Sequence, residues 1–152
     1  MSVSPEIQQP VPVSSRMLSL RCLADLQLAT IVQMLKPELR RLSGRVLDVG
    51  AGEAPWRQWL PERTSYTGLD VDVAAEFGMS GEIADIVYYD GTTMPFDGGS
   101  FSAALCIEVM EHAAEPELLA GEMARVLEPG GKLLLSVPWS AREHHVPYDY
   151  HR

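Results

Sequence analysis

Residues 46–56 read Val-Leu-Asp-Val-Gly-Ala-Gly-Glu-Ala-Pro-Trp. The run from Arg45 to Val49 is apolar apart from Asp48, and Gly50-Ala51-Gly52 stops it abruptly. That is the signature of a buried strand entering a tight turn. Four similar runs follow: Tyr66 to Asp70, Ile86 to Asp90, Phe101 to Ile107, and Lys132 to Val137. They do not alternate apolar with polar residues, as expected for parallel strands covered on both faces. Helix-like segments lie between them at Pro55–Leu60 and Glu117–Leu127, the latter with Leu118, Leu119, Met123 and Val126. Strands alternating with helices indicate an α/β fold with right-handed crossovers. Residues 71–82 have room for a short helix at most, and 91–100 are too rich in Gly and Asp for one.

Upstream, residues 1–15 carry Pro5, Pro10 and Pro12 among serines and read as a flexible tail. A helical segment is expected over 16–44, where Leu20, Leu23, Ala24, Leu26, Ile31 and Leu35 recur at helical spacing. Pro37 should end that helix or start a second short one. The domain proper then occupies 45–152. At 152 residues the chain fits one domain with a single sizeable core.

Charge is unevenly distributed. Residues 1–45 hold six bases and three acids, whereas 46–152 hold six bases and eighteen acids. An acidic main body would repel phosphates, which argues against a nucleic-acid partner. No run of eighteen apolar residues exists to form a membrane span. Cys22 and Cys106 are far apart and both apolar in setting, so neither a disulfide framework nor a cysteine zinc site is expected. A reducing, cytoplasmic location is the natural reading. Three histidines fall in His144–His151, but none are paired at helical spacing and Pro147 interrupts them, so no metal is expected.

Three runs end in carboxylates or glycines. In open α/β sheets, ligands bind beyond the carboxyl ends of the strands, near the point where strand order reverses. Gly50 and Gly52 would let backbone approach a ligand closely. Asp70, 18 residues past Gly52, is placed to accept both ribose hydroxyls, and Asp90 to accept from the amine of a base. Where a dinucleotide site needs its third glycine, this chain has Pro55, and Glu53 would set negative charge beside a diphosphate. The pattern suits an adenosine ligand that is cationic and free of phosphate.

The pieces VLDVGAGEAPW (46–56), GLDVD (68–72), YDGTTMPFDGGSFSAALCIEVMEH (89–112), EMARVLEPGGKLLLSVP (122–138) and HHVPYDYHR (144–152) occur in this order and spacing. Together they resemble the class I S-adenosylmethionine-dependent methyltransferases, in the type 11-like branch that acts on small molecules. The resemblance implies a Rossmann-like doubly wound sheet of strand order 3-2-1-4-5, with S-adenosyl-L-methionine as cofactor. It implies that Asp48 orients the glycine turn and reaches the cofactor's amino group, with Gly50 and Gly52 beside the methionine moiety. Asp70 would hold the ribose, Asp90 and the Gly91 N–H the adenine, and Ile107 and Glu108 would sit by the sulfonium. Met94-Pro95-Phe96 would pack near the adenine. Where the acceptor is a hydroxyl or carboxyl, His112, His144, His145 and Glu108 are the candidates for a general base, His112 and His145 foremost, and the resemblance implies that Tyr148 and Asp149 contact the acceptor.

The family continues past this point with another helix and two further strands, one antiparallel. The expectation is therefore a chain truncated after its fifth strand, with the final helix and the antiparallel hairpin strands missing. That strand would be an open edge formed by Leu133, Leu134 and Leu135, inviting self-association. The expected function is methyl transfer to a small-molecule or biosynthetic-intermediate acceptor by in-line displacement. The alternatives are a non-catalytic cofactor-binding or regulatory module of the same fold and an NAD-dependent oxidoreductase, the latter disfavoured by Glu53 and Pro55.

Overall fold

In the sheet, β1 (Gly44–Val49) is central and is flanked by β2 (Thr64–Val71) and β4 (Phe101–Ile107). Beyond them lie β3 (Ile86–Tyr89) and β5 (Leu127–Ser136), giving the order β3-β2-β1-β4-β5 with every pairing parallel. This is the order expected from the sequence. The architecture comes from a computed structural model that describes residues 18, 22, 25–71 and 85–138. The expected tail, most of the residues between it and Asp25, residues 72–84, and the expected site residues His144, His145, Tyr148 and Asp149 lie outside the described residues.

Alternation along the central strands divides the core in two. Val46, Ala103, Leu105 and Ile107 face α1 (Leu26–Leu39), meeting Leu35 and Leu39 together with Leu42 and Trp56. Leu47, Val49, Leu69, Ala104 and Cys106 face the other way, onto Leu119, Met123 and Val126 of α2 (Pro116–Val126). Leu47, Leu69, Leu105 and Met123 are fully buried, each worth about 1.5–3 kcal/mol in water-excluded surface. Polar and small residues would not hold helices on both faces of this sheet; the unbroken apolar strands do.

Four local expectations are corrected. The helical stretch, to which Leu18 and Cys22 also belong, is interrupted at Asp25, whose extended backbone and side-chain acceptor for the Leu28 N–H, at 3.0 Å, cap α1. Pro37 lies inside α1, which runs on to Leu39 rather than stopping. Pro55–Leu60 is not a helix; only a single 3-10 turn forms, at Arg57–Trp59. With positive φ at Gly50, Gly52 and Ala54, the chain spends these residues on turning and has few left for a helix before β2.

The fourth concerns β5, which begins at Leu127, directly after α2. Phe101 pairs with Leu127 but Ala103 with Lys132, so Glu128-Pro129-Gly130-Gly131 bulges out of the ladder before regular pairing resumes. This strand is also not covered on both faces. Leu134 packs under α1, whereas Leu133 and Leu135 stay 41% and 49% exposed on the α2 side.

Candidate functional site

The carboxyl ends of β1 and β2 meet in the turn Gly50–Pro55. Gly50 and Ala51 both donate their N–H groups to the Leu69 carbonyl, at 2.8 and 3.1 Å, carrying the strand pairing around the corner. Gly50 has φ +68, and a Cβ there would lie 2.4 Å from Val109 Cγ2. Only glycine permits the turn to pass under the segment leaving β4.

Two buried carboxyl groups stand at these strand ends. Asp70 Oδ2 accepts the Gly52 N–H at 2.8 Å and Oδ1 accepts the Val71 N–H at 2.8 Å. Burial nevertheless raises its pKa above the ordinary carboxylate value. Asp48, on the α1 side of the sheet, accepts the Tyr66 hydroxyl at 2.8 Å. Burial pushes its carboxyl up to about 7, the tyrosine bond opposing the shift and the charge of Asp70 adding to it. A cation entering here would relieve the crowding of two acids. This pair of buried carboxyl groups beside the glycine turn fits a cationic adenosine cofactor.

Asp90 and Gly91 lie just past β3 and are exposed. Asp90 Oδ1 accepts both the N–H and the hydroxyl of Thr92, at 2.9 and 2.7 Å, and these bonds lower its pKa. Gly91 takes φ +81. Ile107 is buried under α1 in the Leu35 cluster. Glu108 follows it at φ +56, an uncommon conformation for a residue with a side chain. Its carboxylate accepts from the Ser136 hydroxyl and from Gln27 Nε2, both at 2.7 Å, so α1 is tied to the rim of β4 and β5. His112 closes the 3-10 turn Met110–His112, with Nε2 3.7 Å from Oε1 of buried Glu111.

The structure thus brings Asp48, Gly50, Gly52 and Asp70 together, with Glu108 and His112 on the neighbouring rim, while Asp90 and Gly91 belong to the next strand end. Met94 is part of the α2-side core, and Phe96 packs against that core and edge-on to Phe101 at 5.0 Å. Sequence reasoning missed the residues that fasten this loop. Glu122 Oε2 accepts the Met94 N–H at 2.7 Å, and Arg125 donates to the carbonyls of Met94 and Phe96 while pairing with Glu122. Tyr66 was also missed. Its signal was Gly68, which lies opposite Asp48 and leaves the space toward which the Tyr66 hydroxyl leans. Among the described residues no cluster suits a metal ion.

The sequence pattern of the methyltransferase domain family matches residues 47–135, from β1 to β5. The chain belongs to the class I S-adenosylmethionine-dependent methyltransferase family. The methyltransferase GfsG of Streptomyces halstedii is 34% identical over 102 residues, covering 60% of this chain and 37% of that protein. An uncharacterised methyltransferase, YcgJ of Bacillus subtilis, is 29% identical over 124 residues, covering 76% of this methyltransferase chain and 47% of YcgJ. The crystal structure of YcgJ shares the fold, with a TM-score of 0.52 at 22% identity over 69% of this chain and 49% of that one. A structure named as the [4+2]-cyclase SpnF aligns with a TM-score of 0.50 and 28% identity, over 70% and 44% of the two chains. The methyltransferase domain described here spans less than half the length of these relatives.

Proposed function

We propose that this chain binds S-adenosyl-L-methionine at the carboxyl ends of β1, β2 and β3 and serves methyl transfer to a small-molecule acceptor. The observation carrying this reading is the bond from the Gly52 N–H to buried Asp70, beside the second buried acid, Asp48. All three N–H groups of Gly50, Ala51 and Gly52 are bonded within the protein. The turn therefore offers carboxylates to a ligand rather than the free donors that a dinucleotide's diphosphate requires. That weighs against an NAD-dependent oxidoreductase.

The cofactor supplies an electrophilic methyl on a sulfonium. Asp70 would accept the ribose hydroxyls, Asp90 and Gly91 would meet the adenine, and Asp48 and Glu108 would favour the positive end. Holding donor and acceptor in line contributes on the order of 7–11 kcal/mol without a covalent protein intermediate. Where the acceptor is a hydroxyl or carboxyl, His112, whose Nε2 lies 3.7 Å from Glu111 Oε1, is the described candidate for taking its proton. His145, Tyr148 and Asp149 complete the acceptor side in this reading. Residues 45–152 form the methyltransferase core, preceded by a helical segment and a tail.

Calorimetry with S-adenosylmethionine and NAD tests the reading: tight binding of the first and none of the second is expected. Binding of NAD alone would overturn it. The neighbour at 28% identity bears the name of a cyclase rather than a methyltransferase, which supports a second reading for this chain, a cofactor-binding or regulatory module of this fold that transfers no methyl group. Binding with no transfer to any acceptor would select that reading. The half-exposed Leu133 and Leu135 on the outer strand support self-association through β5, read as a doubled mass in sedimentation. Free Cys22 and buried Cys106 accord with a cytoplasmic setting. Among the described residues no helix is long and apolar enough to cross a membrane.

A further inference from the structure

Asp48 is a costly residue at its position. It is 1% exposed on a strand face otherwise occupied by Val46 and the α1 core, and a buried carboxyl lowers stability unless something uses it. Its hydrogen bond comes from Tyr66 on the neighbouring strand, in a register that sets Gly68 opposite Asp48. Tyr66 is itself held. The Arg57 guanidinium lies over its ring at 5.0 Å, and Arg57 pairs with Asp85 at 2.7 Å, just before β3. One connected set of side chains therefore runs from the glycine turn to the protein surface.

We propose that Tyr66 is a positioning residue for the cofactor. Its hydroxyl fixes the orientation of the Asp48 carboxylate, favours its ionised form, and so sets the pH range over which a cationic adenosine ligand is held. The inference rests on the cofactor reading above and deepens it.

The charged and titratable groups around Asp48 give this its direction. Asp70, from β2, opposes ionisation of Asp48. Cys106, from β4, has its thiol pushed up to about 12 by burial and by the charges of Glu111 and Asp48. On α1, Lys36 is engaged over the Trp59 ring. Arg57 acts on Tyr66 from the far side of the ring and partly offsets the raised pKa of the phenol. The Tyr66 hydroxyl is the group that lowers the pKa of Asp48, which stands near 7 with that bond in place. Removing the bond moves the transition upward. Asp48 would then be largely protonated at neutral pH, and a cation would bind less well.

The test is calorimetric titration of S-adenosylmethionine into wild type and Tyr66→Phe from about pH 5.5 to about pH 8.5. The ligand's own titration is common to both proteins and cancels in the comparison. Wild-type affinity should rise through neutral pH. The Tyr66→Phe curve should be displaced to higher pH, about tenfold weaker at neutrality and converging with wild type at the alkaline end. Superimposable curves would overturn the proposal. Carboxyl carbon NMR on the wild type gives a second readout that needs no variant. The Asp48 midpoint should fall when S-adenosylmethionine saturates the protein, and an unmoved midpoint would overturn the proposal too. No binding by wild type at any pH would remove the cofactor reading itself, and this proposal with it.

Discussion

Gly52 and Asp70, 18 residues apart in sequence, are joined by a hydrogen bond of 2.8 Å from the glycine N–H to Oδ2. The parallel pairing of β1 with β2 makes this possible: Asp48 is level with Gly68, so the turn after β1 arrives beside the last residues of β2. The acid expected to hold a ribose also holds the shape of the turn next to it. Asp70→Ala should therefore weaken S-adenosylmethionine binding by ~1–3 kcal/mol, through lost ligand contacts and a loosened turn. Calorimetry measures it, and unchanged affinity would take Asp70 out of the site.

The close approach of Val109 to Gly50 makes a second prediction. Gly50→Ala combines a positive φ with a Cβ 2.4 Å from Val109 Cγ2 and should cost roughly 1–3 kcal/mol in urea unfolding. Adding Val109→Ala removes both γ-carbons from the clash and should recover part of that loss. The backbone cost would remain. If the double variant proved no more stable than expected from adding the two single effects, steric overlap would not be the cause.

Stability should also depend on Asp48. Burial pushes its carboxyl up to about 7 in the folded chain from an ordinary 3.8, so between these limits the folded state binds the extra proton. Its contribution to stability is greatest in acid and declines as pH rises from about 4 to about 7, by at most ~1.4 kcal/mol per pH unit. Asp48→Asn should flatten that decline. Chemical denaturation of both proteins across this range would show the difference in slope, and parallel curves would contradict it.

The 94–96 loop offers a local test. Glu122 accepts the Met94 N–H and is itself oriented by Arg125, so Arg125→Ala should speed hydrogen exchange at the Met94 amide about tenfold. These side chains are partly exposed, so global stability should hardly move. Hydrogen bonding by Arg125 depresses the Glu122 carboxyl, so the fastening is complete above the usual glutamate range and is lost as pH falls through the depressed value. Exchange at Met94 that stays unchanged in Arg125→Ala would show that Glu122 needs no help.

The five strands, and the strand ends at which Asp48, Gly50, Gly52 and Asp70 stand, were legible in the sequence as runs of apolar residues and the points where those runs stop, while the strand order came from the resemblance to the methyltransferase family. Parallel pairing of neighbouring strands does the rest. What was hidden depends on side chains reaching across elements. Nothing in the local pattern around Glu122 or Arg125 shows that they clasp a loop some 30 residues earlier, since an acid and a base three apart on a helix are ordinary surface composition. The start of α1 was hidden for a different reason. Apolar spacing continues upstream through Leu20 and Leu23, while the break is made by one cap, Asp25. Pro37 misled in the opposite sense, being tolerated within the last turn of α1. At Glu128-Pro129-Gly130-Gly131 the strand was expected to begin only with Lys132, whereas the ladder pairs on both sides of these residues.

The brief link from β1 to β2 is pinned at both ends: Arg57 is anchored to Asp85 and Tyr66, and Thr64 Oγ1 donates to the Pro61 carbonyl at 2.6 Å. Between those pins, Glu62 and Arg63 project into solvent. A fluorescent tag or a small inserted module spliced there would sit just before the amino end of β2, ten residues past Gly52, without loading the glycine turn. The same graft at Ala54, which holds φ +51 in a buried position, would wreck the corner it was meant to report on.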